Sequence, residues 1–239
     1  MSRHTDGLPA EEFASQFYLG DCLEIIPKLA DESIDLLLVD PPYGINYLSR
    51  STTLPKVRVT NDGPEAYELL DKALALILPK MKVNSHAYIF TTWQAFASME
   101  VVVRKHLNLK NALVWEKNNR TRGDLKGNYG YQHEMIFFAH KGRRYLNGSR
   151  DANILKFKKV PTQYMVHTTE KPLELLEYLI FKSTSPGEVV LDSFAGSGSS
   201  CVAAKRLGRR YIGIELEEVW YSVAMKRLER ESWPEMVTI

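Results

Sequence analysis

Apolar and polar positions come in short alternating blocks along the chain, and the blocks predict strands and helices in turn. Apolar runs at 16–19, 34–39, 87–90, 112–115, 135–139, 189–191 and 211–214 are brief and bounded by polar or turn residues, as strands are. Helical periodicity fills 23–29, 67–78, 95–106, the stretch opened by Pro172, 202–207 and 217–230. Leu70, Leu74, Ile77 and Leu78 share one side of the second of these; Leu173, Leu176 and Ile180 share one side after Pro172. Gly208 supplies the stop for 202–207. Strand and helix in alternation predict an α/β fold, a doubly wound and mostly parallel sheet with helices on both faces. No internal repeat or low-complexity linker interrupts the pattern, so 1–239 reads as a single domain. At 27.3 kDa the chain is long enough for a full core.

The run at 34–39 stops abruptly in Asp40-Pro41-Pro42-Tyr43. Two prolines remove two backbone donors, so the chain must leave the sheet there in a rigid, extended turn. Such a turn presents the Asp40 carboxylate, the Pro41 carbonyl and the flat face of Tyr43 side by side. These groups suit a planar ring carrying an exocyclic amine. A strand-end turn with a capping Asp is the plainer reading of the same residues.

A second strand, 189–191, runs into Asp192-Ser193-Phe194-Ala195-Gly196-Ser197-Gly198-Ser199-Ser200 and then a helix. Glycines 196 and 198 let a ligand approach the backbone, as in the first turn of nucleotide-binding units. The next strand ends in Glu215, near the offset of about 20 residues at which an acid holds a ribose diol. No third glycine follows at the dinucleotide spacing. These residues point to an adenosine-containing cofactor.

The two elements in concert resemble the S-adenosylmethionine-dependent DNA amino-methyltransferases. Asp40, Pro41, Pro42 and Tyr43 look like the catalytic tetrapeptide and 192–200 like the cofactor loop. His167-Thr168-Thr169-Glu170-Lys171-Pro172 resembles the segment leading to the helix before that loop, and Gly20-Asp21-Cys22 the turn whose Asp meets the cofactor adenine. The resemblance therefore implies cofactor contacts at Asp21, Thr169, Lys171, Asp192, Phe194, Gly196, Ser197, Gly198, Ser199 and Glu215. The catalytic motif precedes the cofactor motif, similar to the beta group, which implies a circularly permuted Rossmann-like methyltransferase fold. It further implies double-stranded DNA as partner and methyl transfer to a base flipped out of the duplex. Asp rather than Ser at position 40 is similar to the adenine-N6 members; cytosine N4 is the alternative.

Formal charge is only +2, so a nucleic-acid surface must be local. Candidate nucleic-acid contacts, all basic except Asn118, gather in a short stretch around 117–166: Lys117, Asn118, Arg120 and Arg122; Lys141, Arg143 and Arg144; and Lys156, Lys158 and Lys159. From 141 to 160 seven basic residues face one acid, Asp151, which favours phosphate contacts and salt-sensitive binding. Asn118, Asn119, Asn128 and Gln132 suit either base edges or turn caps. The stretch 143–166 is short for a target-recognition region. A brief recognition site, a homodimer sharing loops and a partner protein are the three ways to supply the missing contacts.

Cys22 and Cys201 give no metal spacing and read as small buried residues, and His86, His133 and His140 lack ligand spacing, so no metal is expected. Trp93, Trp115, Tyr129 and Tyr131 read more readily as core than as base-stacking groups. The polar loop 48–63 suits a lid or a surface insertion equally. No apolar stretch reaches membrane-spanning length and the first fifteen residues do not resemble a secretory signal, which points to the cytoplasm. Two other classes stay open: a nicotinamide-dependent oxidoreductase, which leaves Asp40 to Tyr43 unexplained, and an idle DNA-binding module.

Overall fold

The computed structural model describes residues 15–47, 59–120, 126–161, 163, 165 and 170–234; Arg122, Thr169 and most of the 48–63 loop lie outside them. The strands are β1 (Gln16–Leu19), β2 (Ile34–Val39), β3 (Met81–Thr91), β4 (Asn108–Glu116), β5 (His133–Lys141), β6 (Ile154–Lys156), β7 (Val189–Asp192) and β8 (Arg210–Glu215). The helices are α1 (Cys22–Ile25), α2 (Ala66–Lys80), α3 (Phe96–His106), α4 (Leu173–Ser183), α5 (Ser199–Arg206) and α6 (Glu218–Arg230). One sheet runs β1-β8-β7-β2-β3-β5-β4-β6.

Only β5 is antiparallel to its neighbours, β3 and β4. All other strands therefore end at the same edge, where β5 begins. From β2 the chain winds outward to β3, and from β7 it winds the opposite way to β8. The pair β2 and β7 is thus a switch point, where open α/β sheets form their crevice.

Side chains of the central strands alternate between two apolar layers, as the strand period demands. Leu37, Val39, Ala87 and Ile89 pack with α2 and α3, through Leu70, Ile77, Met99 and Val103. Leu36, Leu38, Tyr88 and Phe90 pack on the other face with α4, α5 and α6, through Leu176, Ile180, Val202 and Ala224. The one acid inside β2, Asp35, is buried and paired: it accepts from Lys82 Nζ at 2.8 and 2.9 Å and from the Val189 amide at 2.9 Å. Gly213 stays side-chain-free because a Cβ there would lie 2.3 Å from the Phe17 ring.

Several expectations shift. The helix anticipated at 23–29 is one α turn followed by a 3-10 turn, Ile26–Lys28, because Pro27 lacks the N–H that α geometry requires. Leu173 only flanks the core; Leu175, Leu176, Leu179 and Ile180 fill it. The strand β6 was not anticipated, being three residues inside a basic stretch with only Leu155 turned inward. Cys22 and Cys201 are buried free thiols. No helix among the described residues is long and apolar enough to cross a membrane.

At the far edge of the sheet, His86 on β3 is fully buried. Its Nε2 donates to the Arg144 carbonyl at 3.0 Å, and its Nδ1 accepts from Ser183 Oγ at 2.8 Å. Burial, with His140 close by, pushes the imidazole down to about 4. The unfolded chain takes up this proton below about pH 6.5, whereas the folded chain holds off until about pH 4. Stability therefore falls as pH drops through that window, by about 3 kcal/mol from this group. Urea unfolding across the window is expected to show a weaker pH slope in His86→Gln than in the wild type; equal slopes would remove His86 from that role.

Candidate active site

Asp40 follows the last residue of the fully buried strand β2, and Pro41 is buried while Asp40 and Tyr43 are half-buried. What shapes the turn is a residue that sequence reasoning missed. Asp62, 4% exposed, accepts the amides of Tyr43 at 2.7 Å, Gly44 at 2.8 Å and Tyr47 at 2.6 Å. Its carbonyl also accepts the Asn46 amide at 2.7 Å. The only sequence signal was an Asn-Asp-Gly triplet after a polar loop, which announces a turn but not its partner.

The Asp40 carboxylate is engaged at both oxygens: Oδ1 accepts the Tyr43 hydroxyl and Oδ2 accepts Lys171 Nζ. Lys171, expected among the cofactor contacts, thus reaches the Asp40 turn and lines the same cavity as the glycine loop. Glu134, at the start of β5, lies 3.4 Å from the same ammonium through Oε2, while its Oε1 accepts Lys117 Nζ. Burial lifts the Asp40 carboxyl above the usual range against the pull of Lys171, with Glu134 adding to the lift. Burial works the same way on Glu134, but Lys171 and Lys117 outweigh it and hold that carboxyl low. Burial alone would lower Lys171; the two carboxylates raise it instead.

The second half of the site is built at the ends of β7 and β8. Glu215 spans two loops, accepting the Gly196 amide through Oε2 and the Glu217 amide through Oε1, each at 2.8 Å. Burial raises its carboxyl. Asp192 turns back on its own loop, accepting the Phe194 amide at 3.0 Å and the Ser200 hydroxyl, and burial pushes it up to about 7. Gly198 adopts φ +78 and a Cβ there would lie 2.9 Å from Ala224, so the turn can pack against α6 only as glycine. Arg227 of α6, also missed, donates to Ser197 Oγ and the Ser197 carbonyl at 2.9 Å and to Ser199 Oγ at 3.0 Å. It reaches Glu170 at 2.7 Å as well, tying the loop to the residue before Lys171. Asp21 caps α1 through the Leu23 amide at 2.8 Å.

One cavity of about 550 Å³ joins the two halves, lined by Asp21, Asp40, Tyr43, Phe194, Gly196 and Glu215 among others. Sequence comparison agrees with this geometry. The model of the family described as DNA methylase, the N6/N4 methyltransferases, matches residues 34–226. The chain belongs to this family. The DNA methylase is 32% identical to the putative methylase YubD of Escherichia coli (strain K12), over 90% of each chain. It is 30% identical to the type II methyltransferase M2.DpnII of Streptococcus pneumoniae, covering 89% of this chain and 88% of that one. Its fold resembles M1.HpyAVI, solved as a SAM complex, with a TM-score of 0.70 at 26% identity, covering 89% and 98% of the two chains. It also resembles the cytosine-N4-specific PvuII methyltransferase, with a TM-score of 0.74 at 16% identity over 89% and 85%.

A sulfonium nucleoside fits the methylase cavity on the donor set alone. The walls carry Asp21, Asp192, Glu215 and Glu217 for a cationic ligand with a diol, beside the apolar Phe194. Ser193 Oγ is buried without a hydrogen-bond partner among the described residues, and a Cβ on Gly196 would meet nothing within 4 Å, so the loop is open to the cavity.

The basic residues divide. Lys117 and Lys159 line the cavity, with Asn118, Arg120, Lys156 and Lys158 exposed nearby in chain and sheet. Lys141, Arg143 and Arg144 are a correction: Lys141 ends the antiparallel β5 and the two arginines follow it, at the opposite edge from the cavity. Lys141 Nζ donates to the Leu78 and Met81 carbonyls at 2.9 and 2.6 Å, Arg144 pairs with Glu188, and Arg143 lies over the Tyr145 ring. Asn118 accepts the Lys159 amide and Gln132 donates to the Lys117 carbonyl, ties between distant segments, whereas Asn128 accepts the Tyr129 amide within its own turn. Trp115 is core as expected, but Trp93 is 52% exposed and Tyr129 94%, because both lie beyond strand ends that no helix covers.

Asp62→Ala leaves three turn amides without their acceptor. The expected loss is about 2–4 kcal/mol, read as a lower urea midpoint, and an unchanged midpoint would show that the turn holds itself.

Proposed function

We propose that this DNA methyltransferase moves the methyl group of S-adenosylmethionine to the exocyclic N6 amine of an adenine flipped from double-stranded DNA. The observation that carries the reading is the shared cavity: Asp40 follows β2, the glycine loop follows β7, and the two strands are neighbours at the switch point. The SAM complex of the similar M1.HpyAVI supports the cofactor, and the type II relative M2.DpnII supports a site-specific DNA target. The order of the motifs supports the permuted beta group. We read 1–239 as one methyltransferase domain with a DNA-contacting stretch within 117–166, acting in the cytoplasm.

S-adenosylmethionine supplies an electrophilic methyl group that needs positioning rather than activation. Glu215 accepts the ribose hydroxyls, Asp21 meets the adenine, Phe194 gives an apolar wall and the loop 196–199 bounds the amino-acid tail. The aromatic amine is the poor partner, since its lone pair is delocalised into the ring. Asp40 and the Pro41 carbonyl accept its two N–H groups, which favours a pyramidal nitrogen and stabilises the positive charge that develops there. Tyr43 packs on the base, and Pro41 and Pro42 keep the acceptors rigid. Lys117, Arg120, Lys156, Lys158 and Lys159 meet phosphates around the mouth, so affinity falls with salt. Both adenine N6 and cytosine N4 offer the donor pair that Asp40 needs; Asp at position 40, by resemblance, favours adenine.

Labelled S-adenosylmethionine and unmethylated DNA, followed by nucleoside analysis, are expected to yield N6-methyladenine. N4-methylcytosine would reverse the base, and no methylated nucleoside from cofactor-binding protein would overturn the reading. Asp40→Ala is expected to cut turnover at least about 10²-fold with cofactor affinity retained. Glu215→Ala is expected to weaken cofactor binding by about 10-fold or more in calorimetry; an unchanged dissociation constant removes it from the ribose role.

A further inference from the structure

Asp40 already carries one donor on each oxygen, so an arriving amine must compete for the lone pairs that are left. The Lys171 ammonium on Oδ2 is the stronger competitor because it is charged, and it draws electron density from the acceptor. Lys171 is held among apolar rings on the cavity wall, its side chain 8% exposed, with Nζ 5.1 Å from the Phe90 ring centre and 6.0 Å from that of Tyr43. Leaving it unpaired there would strand a buried charge. Glu134 removes the difficulty. Its Oε2 is buried, has no hydrogen-bond partner among the described residues and already stands 3.4 Å from Lys171 Nζ.

We infer that Lys171 is a two-position latch, seated on Asp40 in the free enzyme and handed to Glu134 Oε2 when the target amine takes its place on Asp40. The inference rests on the function proposed above and makes Glu134 and Lys171 positioning residues for the catalytic carboxylate. Lys117, held on Oε1, fixes Glu134 so that its other oxygen faces the latch. The ammonium keeps a carboxylate partner in both positions, and the switch needs a short side-chain movement rather than any change in the backbone. The ammonium meanwhile pulls the Asp40 carboxyl down against the lift of burial before DNA arrives.

The test is single-turnover methyl transfer to DNA over a range of pH, with cofactor affinity measured by calorimetry on the same proteins. In Glu134→Gln the latch has no charged second seat and stays on Asp40. The expected result is a roughly 10- to 100-fold slower transfer step with unchanged cofactor affinity. Adding Lys171→Met to that variant frees Asp40, so the double variant is expected to be faster than Glu134→Gln alone, whereas independent structural losses would add. Lys171→Met by itself leaves Asp40 facing Glu134, Tyr43 and Asp192 without a cation, and its rate is expected to need a higher pH than the wild type. Wild-type transfer in Glu134→Gln, an additive double variant, or an unmoved pH profile in Lys171→Met would each overturn the latch. The last of these reads it even if Glu134→Gln does not fold. A wild-type protein that binds DNA and cofactor without transferring a methyl group overturns the functional reading, and the latch with it.

Discussion

Parallel pairing of β2 with β7 is the constraint on which everything else in this methyltransferase depends. Leu36 and Leu37 lie opposite Val190 and Leu191, residues from distant parts of the chain, and this register sets two loop-bearing strand ends side by side. Both strands are buried on both faces, as strands of a parallel sheet covered by helices are. Asp35 adds a polar tie, joining the Val189 amide at the start of β7 to Lys82 on β3. Asp40 and the glycine loop share a cavity because this pairing sets the two strand ends side by side.

The site concentrates carboxylates: Asp40, Glu134, Asp192 and Glu215 all reach one crevice. Burying negative charge is costly unless it is paired or hydrogen-bonded, and each acid has its own remedy. Asp40 and Glu134 share Lys171, Asp192 folds back onto Ser200 and its own loop, and Glu215 takes two backbone amides. Each remedy also fixes a loop in place. Electrostatic need and geometric order are met by the same contacts, which suits a reaction where alignment of amine and methyl group dominates the chemistry.

Local motifs are legible in the chain itself. A strand ending in Asp40-Pro41-Pro42-Tyr43 and a glycine turn followed by Glu215 are written in consecutive residues, because backbone donors, φ freedom and strand period act over a few positions. The alternation of elements foretells the doubly wound sheet for the same reason. Charge counting is less dependable: the stretch 141–144 is as basic as any, yet its residues serve the far edge of the sheet. A run of lysines and arginines reports composition, while the direction of β5 determines which way it faces.

The sequence by itself determined most of the elements and the two motifs, since these arise from neighbours along the chain. Only the tertiary structure decided that Asp62 holds the turn after Asp40, that Arg227 braces the glycine loop, and that Lys171 stands between Asp40 and Glu134. Those contacts join residues brought together by the sheet. A single carboxylate or ammonium carries no mark of a distant partner, and only folding supplies the low-dielectric setting in which it must find one.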